Sequence, residues 1–333
     1  MMISNVLMIF LIAFCISLIL APFIIKGLRK LKAGQNILEY VDAHKSKQGT
    51  PTMGGIIFLL GLLVAYLFTF GGDNRLSTIM FLVTLGYGLL GFLDDFLKIK
   101  LKHNEGLKAY QKFIGQFGIA CIVAYFVYSS NIIGTSIAIP FSSVELDCGW
   151  GIIPFIVFFY LAVTNSVNLT DGLDGLAGKT SFVYLISFTI VAFLMLNNGV
   201  QNDVILEGEY GNLFKLTAGL CGGILAFLVF NSHPARVFMG DTGSLALGGF
   251  VATYAVFTKS YLLMPIIGLM FVLNTLSVVI QVGYYKITKK RIFKMAPLHH
   301  HFEKCGVKET KVVSAYTIVT IVMGVIAIWL TLL

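Results

Sequence analysis

Long apolar blocks alternate with short polar segments along the whole chain. A helix needs about 20 apolar residues to cross the hydrocarbon core of a bilayer, and ten blocks approach or reach that length. The pattern therefore predicts an all-α integral membrane protein with about ten transmembrane helices. The predicted spans are 3–25, 53–70, 78–93, 113–130, 151–168, 180–197, 214–231, 244–258, 261–285 and 311–333.

Positive charges lie almost entirely on one side of this map. Lys26 and Arg29 follow the first span, so the positive-inside rule places the N-terminus outside the cell. With ten spans, both termini lie on the outer side. The inner segments are then 26–52, 94–112, 165–180, 231–245 and 283–311. They contain every lysine and arginine except Arg75, Lys215 and Lys259.

Composition agrees with a membrane domain. The chain has 333 residues, of which 57% are hydrophobic and 12% charged, whereas soluble domains have about 25% charged residues. No polar segment is long enough for a soluble domain, so we predict one polytopic membrane domain over residues 1–333. The five cysteines form no CxxC pair, which excludes the common zinc and redox motifs. The net charge of +8 falls on the inner face, where it suits anionic lipid, and we expect no nucleic-acid partner.

Aspartates are clustered at the inner edges of the spans, where a carboxylate is costly. Insertion of an acid at the centre of a membrane helix costs roughly 2.5–3.5 kcal/mol, and less towards the interface. Asp94 and Asp95 continue an apolar run, so on a helix they diverge by about 100°. We expect them to divide their roles rather than bind one ion from the same face. The structural alternative is a solvated helix end with Lys98 as an ion-pair partner.

A second acidic group follows the fifth span. Asn165, Asn168, Asp171 and Asp174 are spaced by three, which on a helix aligns them along one face. Gly172 and its neighbouring glycines allow a close approach of the backbone to a ligand. The segment is not an EF-hand loop, because it lacks oxygen ligands at alternate positions.

Asp241 and a histidine run complete the candidate chemistry. Asp241 opens the eighth span, where it could cap the helix or hold Mg²⁺ against a diphosphate. Consecutive histidines point in different directions, so His299, His300 and His301 do not suit one zinc ion. We interpret them as hydrogen-bond donors to phosphate, with an inert basic loop as the alternative. The outer acids, Glu209 among them, are interpreted as a solvated face.

The ordered motifs resemble one known family. They are GTPTMGG, GFLDDFLK, NSVNLTDGLDGLA, NSHPARVFMGDTGSLALG and MAPLHHHFE, each on a successive inner segment. Together they resemble the phospho-N-acetylmuramoyl-pentapeptide transferases, a branch of the polyprenyl-phosphate N-acetylhexosamine-1-phosphate transferase superfamily. The resemblance runs from about residue 20 to the end of the chain. The segment MAPLHHHFE specifically resembles the muramoyl-pentapeptide branch.

The resemblance implies a reaction and a location. Members transfer phospho-MurNAc-pentapeptide from its UDP carrier to undecaprenyl phosphate, releasing UMP and forming lipid I for the peptidoglycan of the cell wall. They are Mg²⁺-dependent, lie in the bacterial plasma membrane with ten helices, and have the active site at the cytoplasmic face. A homodimer in the lipid bilayer is the expected assembly.

The resemblance also implies site residues. The expected catalytic residues are Asp94, Asp95, Asp241, His299, His300 and His301, with Asp241 as the metal ligand. The expected substrate-binding residues are Lys47, Thr52, Lys112, Asn168, Asp171, Gly172, Leu173, Asp174, Asn231 and Phe238. Phe238 is expected to stack on the uracil ring.

Three other functions are weighed against this one. A sibling transferase that uses UDP-GlcNAc would share most motifs, but the histidine run argues against it. A transporter would carry its acids near the midplane between internal repeats, whereas these acids lie at one edge and no repeat is visible. A non-catalytic lipid-binding scaffold leaves the clustered aspartates unexplained. The mechanism also stays open, as either direct transfer or a covalent aspartyl intermediate.

Overall fold

A computed structural model describes residues 2–31, 49–70, 74–101, 106–142, 144–199 and 204–333. Over these residues the chain is a helical bundle, which confirms the all-α membrane fold. Its helices are α1 (Met2–Lys30), α2 (Ile56–Leu67), α3 (Arg75–Leu101), α4 (Ala109–Ser129), α5 (Ile152–Thr170), α6 (Leu176–Gly199), α7 (Val204–Asn231), α8 (Gly240–Phe257), α9 (Leu263–Ile267), α10 (Leu269–Thr288), α11 (Leu298–Lys304) and α12 (Glu309–Leu332).

Eight described helices are long and apolar enough to cross a membrane. They are α1, α3, α4, α5, α6, α7, α10 and α12. The predicted spans 53–70 and 244–258 correspond to α2 and α8, which fall outside this set. α2 has only 12 residues. The exact number of crossings therefore stays a prediction.

α8 lies in the middle of the bundle. All of its residues from Thr242 to Phe257 are buried, chiefly against α3 and α5. A helix enclosed by other helices needs no lipid-facing apolar surface, which explains why its sequence is rich in glycine and hydroxyl residues. This central position brings the N-terminus of α8, with Asp241, to the inner edge of three other helices.

Close approach of α3 and α8 depends on glycine. A Cβ atom added at Gly91 would lie 2.0 Å from the main-chain oxygen of Asp241. Gly240 has a φ of +73°, and a Cβ there would lie 2.5 Å from Thr52 Oγ1. Only glycine satisfies both requirements. Glycines of the sequence motifs thus set the spacing of the helices that carry the aspartates.

Two features differ from the sequence predictions. The predicted span 261–285 is broken at Gly268 into α9 and α10, because Gly268 leaves helical geometry. The connection between α4 and α5 contains a short hairpin in which β1 (Ser136–Ala138) pairs antiparallel with β2 (Glu145–Asp147), with Ile137 opposite Leu146.

Glu209 corrects the interpretation of the outer acids as solvated. It is buried and accepts hydrogen bonds from the backbone N–H groups of Arg75 (2.9 Å) and Leu76 (2.8 Å). The N-terminal N–H groups of a helix have no partner within the helix. A carboxylate from α7 therefore caps α3 from within the bundle.

Candidate active site

Asp94 and Asp95 lie beyond the predicted span 78–93 but within one uninterrupted helix, because α3 continues to Leu101. Asp94 forms an ion pair with Lys98, one turn further on, at 2.6 Å. Its other oxygen accepts a hydrogen bond from the backbone N–H of Leu107 at 2.8 Å. Asp94 is thereby fixed between its own helix and the segment that leads into α4.

Asp95 faces α8 instead. It accepts hydrogen bonds from the N–H groups of Asp241 (3.2 Å) and Thr242 (2.9 Å) and from the Thr242 hydroxyl (2.7 Å). An acid at a helix N-terminus is favoured by both the free N–H groups and the helix dipole. The alternative in which Asp241 caps α8 is therefore wrong, because Asp95 does so from a neighbouring helix.

The Asp241 side chain points into a group of polar residues from four helices. Its Oδ2 lies 2.8 Å from Lys98 Nζ and 3.0 Å from Lys112 Nζ. Asn168 Nδ2 donates to Asp241 Oδ1 at 2.7 Å and also reaches Ser244 Oγ at 2.7 Å. Asp94, Asp95, Asp241, Lys98 and Lys112 form what we call the carboxylate–lysine cluster.

The three acids of this cluster come close to one another, while the expected division of roles between Asp94 and Asp95 stays a prediction. Although Asp94 and Asp95 diverge along α3, each of them and Asp241 offers an oxygen, and these three atoms lie within 4.8 Å of one another. Side-chain length offsets the 100° separation, so the three acids do converge. Hard oxygen donors at this spacing suit Mg²⁺, which prefers one or two carboxylates plus substrate phosphates.

A cavity of about 490 Å³ opens beside the cluster. Its lining includes Asp94, Asp241, Lys98 and Lys112, whereas Asp95 is absent from it. The two lysines give the wall positive charge and the two aspartates supply acceptors or metal ligands. This arrangement can bind a phosphate and a divalent cation together.

The α5–α6 turn departs from the helical alignment predicted for its four polar residues. α5 ends at Thr170, so Asn165 and Asn168 lie on the helix but Asp171 and Asp174 lie in the turn. Leu173 anchors this turn by packing with Leu176, Met270, Val312, Val313 and Tyr316. Its side chain serves packing, which leaves only its backbone for a ligand.

Partial burial raises the pKa of Asp171 to about 8, and the negative charges of Asp241, Asp95 and Asp174 add to this rise. In the protein without a cation, this carboxyl is therefore largely protonated at neutral pH.

Asp174 belongs to a second acidic group. Its Oδ2 lies 3.2 Å from His233 Nδ1 and accepts a hydrogen bond from Ala235 N at 3.0 Å. Its backbone N–H donates to Glu309 Oε1 at 2.7 Å, and Glu309 Oε2 lies 3.5 Å from His233 Nδ1. We call Asp174, His233 and Glu309 the Glu309 clasp.

Asn231 joins the same two loops. Its Oδ1 accepts a hydrogen bond from Gly175 N at 3.0 Å, and its Nδ2 donates to the Val237 carbonyl at 2.8 Å. Asn231 is buried. Its amide therefore holds the α5–α6 turn against the segment that precedes α8.

The three histidines point in different directions, as predicted. His299 is buried beside Asn274, with Nδ1 3.4 Å from its Oδ1, and a Cβ at Gly172 would lie 2.1 Å from its Nε2. His300 pairs with Glu303 at 2.7 Å. His301 Nδ1 accepts a hydrogen bond from Lys294 N at 3.1 Å. The structure thus brings His299 to the α5–α6 turn.

The segment before α2 pairs with the segment before α8. Phe238 N donates to Pro51 O at 2.8 Å, and Gly54 N donates to Phe238 O at 2.8 Å. The Phe238 ring is half-buried, while Thr52 is buried against Gly240. Lys47 lies outside the described residues.

Sequence reasoning missed three contributors. Lys98 was weighed only as a solvated partner of Asp94, whereas it bridges Asp94 and Asp241. His233 and Glu309 were not singled out. The available signal for Lys98 was its spacing from the aspartates, but nothing in the local sequence of Glu309 indicates its distant partner.

Comparisons with known proteins match two family profiles in this chain. The family profile described as Glycosyl transferase family 4 matches residues 77–259. The profile described as Phospho-N-acetylmuramoyl-pentapeptide-transferase signature 1 matches residues 47–59.

Curated relatives carry the same name. The phospho-N-acetylmuramoyl-pentapeptide-transferase of Thermoanaerobacter sp. (strain X514) is 47% identical over 322 residues, which cover 96% of this chain and 97% of the relative. That of Clostridioides difficile (strain 630) is 45% identical, covering 96% and 95%. That of Clostridium perfringens (strain 13) is 45% identical, covering 97% and 98%. Since identity at this level extends over nearly the full length, the chain belongs to the phospho-N-acetylmuramoyl-pentapeptide-transferase family.

Proposed function

We propose that this membrane protein transfers phospho-MurNAc-pentapeptide from UDP-MurNAc-pentapeptide to undecaprenyl phosphate. The products are UMP and undecaprenyl-diphospho-MurNAc-pentapeptide, the lipid I of peptidoglycan synthesis. The observation that carries the proposal is the carboxylate–lysine cluster at a cavity, in a chain whose full length matches transferases of this name. The reaction forms a P–O bond from the lipid phosphate and breaks the P–O bond to UMP.

The lipid phosphate and the diphosphate of the nucleotide donor are both negatively charged, and the two lysines can offset their repulsion. Lys98 and Lys112 converge on one oxygen of Asp241 at 2.8 and 3.0 Å. Preorganised positive groups of this kind stabilise the charge that develops on a leaving phosphate. In the absence of substrate, Asp241 partners the two ammonium groups, and a phosphate entering the cavity would take over part of that role.

The donor set fits Mg²⁺. Asp241 and Asp94 both line the cavity and would hold the cation, while the oxygens of Asp95 are engaged by the N-terminus of α8. A bound Mg²⁺ would neutralise diphosphate charge. We assign to Asp95 the role of holding α8, and hence Asp241, in place.

For Asp94 we favour direct transfer. Its carboxylate faces the cavity and would orient or deprotonate the lipid phosphate. The competing route has an aspartate attack the UDP-sugar and form a covalent phospho-sugar enzyme. An adduct trapped without lipid acceptor would exclude direct transfer.

The α5–α6 turn and the loop before α8 are proposed to bind the nucleotide. Asp171, Gly172 and Asp174 would meet its polar groups, and the Phe238 ring would stack on uracil. His299, His300 and His301 are proposed to lie near the sugar phosphate, and Lys47 near the diphosphate. The acceptor's tail stays in the bilayer, which explains why the site adjoins the membrane.

We further propose that the site faces the cytoplasm of a bacterial cell and that the protein forms a homodimer. The orientation rests on the distribution of lysine and arginine. UDP-linked substrates are soluble and would approach from that side.

The test is UMP release by purified protein given UDP-MurNAc-pentapeptide, undecaprenyl phosphate and Mg²⁺. Release that requires all three supports the proposal. Release with UDP-GlcNAc in place of the muramoyl donor would indicate the sibling reaction. No release from folded protein with either donor would overturn the assignment.

A further inference from the structure

Glu309 lies in the first turn of α12, far along the chain from the turn that it contacts. Its Oε1 accepts the backbone N–H of Asp174 at 2.7 Å. Its Oε2 lies 3.5 Å from the His233 ring nitrogen, and only 12% of its side chain is exposed. A largely buried carboxylate that accepts a backbone N–H is a strong, directional contact. One side chain of the last helix therefore touches both loops proposed to bind the nucleotide.

We propose that Glu309 is a positioning residue that fixes these two loops in their nucleotide-binding arrangement. The inference rests on the proposed function. Glu309 does not line the cavity beside Asp241, so it acts through Asp174 and His233 rather than on the reacting atoms. Asp174 in turn accepts the N–H of Ala235 at 3.0 Å.

The contacts make the two loops one unit. Asn231 joins Gly175 to Val237 from the other side at 3.0 and 2.8 Å. The α5–α6 turn is thus held at two successive residues, Asp174 and Gly175. Loss of Glu309 would free one of these points while leaving the carboxylate–lysine cluster intact. The expected consequence is weaker binding of the nucleotide donor, with little change in the chemical step or in binding of the lipid acceptor.

A simpler role for Glu309 gives different expectations. An acid in the first turn of a helix is favoured by the helix dipole, and Lys308 at the N-cap makes no side-chain capping bond. If only the negative charge at the helix N-terminus matters, Glu309→Asp should retain nucleotide binding and Glu309→Gln should lose it. If the hydrogen bond from the Asp174 N–H matters, Glu309→Gln should retain nucleotide binding, because its amide oxygen can accept the same hydrogen bond. Glu309→Asp should then lose nucleotide binding, because the aspartate side chain is about 1.5 Å shorter and does not reach the Asp174 N–H.

The experiment compares Glu309→Asp with Glu309→Gln in the full-length protein in detergent. Steady-state UMP release gives kcat and the KM for each substrate, and direct titration with UMP gives a Kd that does not depend on turnover. Thr310→Ala is the matched control, because Thr310 is exposed in the same turn. Thermal unfolding reports the stability of each variant.

We expect Glu309→Asp to raise the donor KM and the Kd of UMP about tenfold or more. Its kcat and acceptor KM should stay within about twofold of wild type, and Glu309→Gln should recover most of the binding. If Glu309→Asp binds UMP as wild type does and Glu309→Gln binds it more weakly, the inference is overturned in favour of the interaction with the helix dipole. Equal losses in kcat and both KM values would overturn it in favour of a general structural role.

Failure of the proposed function is recognised separately. A wild-type protein that binds UMP but releases none from the donor would contradict the transferase assignment, while the variants' Kd values would still decide the role of Glu309. A wild-type protein that does not bind UMP would overturn both.

Discussion

Two groups of acidic side chains lie near the start of α8, and their partners differ in kind. In the carboxylate–lysine cluster, Asp94 and Asp241 share the ammonium group of Lys98 and face a cavity. In the Glu309 clasp, the carboxylates of Asp174 and Glu309 accept backbone N–H groups from neighbouring loops.

This difference separates reactive from positioning acids. A lysine side chain can exchange one anionic partner for another as substrate arrives, because it is a point charge on a flexible stem. A backbone N–H cannot leave its carboxylate without moving the chain. The first group is therefore available for chemistry, and the second fixes where the loops lie. Asp95 resembles the second group, although it belongs to the first cluster by position. Asp94 combines both kinds of partner, because its second oxygen accepts the backbone N–H of Leu107.

The largest effect is expected from Asp241→Asn. This change removes the charge that holds Lys98 and Lys112 at one point and that is proposed to hold a cation, so UMP release should fall by about 10³-fold. The measurement is steady-state release by protein shown to be monodisperse in detergent. Asp147→Asn, on the outer hairpin, is the control and should retain activity. Substantial activity in Asp241→Asn would remove this residue from the centre of the reaction.

The two lysines should differ in effect. Lys98 contacts Asp94 at 2.6 Å and Asp241 at 2.8 Å, whereas the ion pair that Lys112 forms within the described part of the chain is with Asp241. We therefore expect Lys98→Met to lower kcat about 10²-fold and Lys112→Met to lower it less. Single-turnover rates at saturating substrates test this order. The reverse order would show that the bridge between the two aspartates is not the critical contact.

Asn231→Ala tests the positioning side of the comparison. The substitution leaves the Gly175 N–H and the Val237 carbonyl without their buried partner, at a cost of about 1–3 kcal/mol. We expect the donor KM to rise about tenfold while kcat changes little. If kcat falls as steeply as in the lysine variants, the distinction between the two groups does not hold.

The smallest expected effect is a pH dependence of stability through Asp171, whose pKa is raised by negative charges from both groups. Its folded pKa of about 8 exceeds the ordinary value of 3.8 for this carboxyl, so the folded state binds the extra proton. The stability from this proton is complete below about pH 4 and is lost as pH rises through 8. Metal-free protein should thus unfold at lower temperature at pH 9 than at pH 6, and Asp171→Asn should flatten the slope. Parallel curves for the two proteins would contradict this.

Most helices could be predicted from the sequence, because each depends on the apolar length of its own segment. Apolar length and the lysine–arginine distribution indicated a membrane bundle, and the ordered motifs indicated the family. The cluster members Asp94, Asp95 and Asp241 were named from their motifs, and Lys112 and the neighbouring Asn168 were named from the family resemblance. The broken span at Gly268 was missed because its flanks are apolar throughout, and hydropathy does not report a local change of backbone angle.

By itself, the sequence determined the class of protein, its reaction family and the identity of most candidate residues. The tertiary structure alone decided their partners. Asp95 caps α8 by accepting the N–H of Asp241, 146 residues away, and Glu309 reaches Asp174 across 135 residues. Such contacts depend on how helices pack, which follows from many glycine and core positions acting together. The sequence close to Asp95 or to Glu309 does not indicate these long-range contacts.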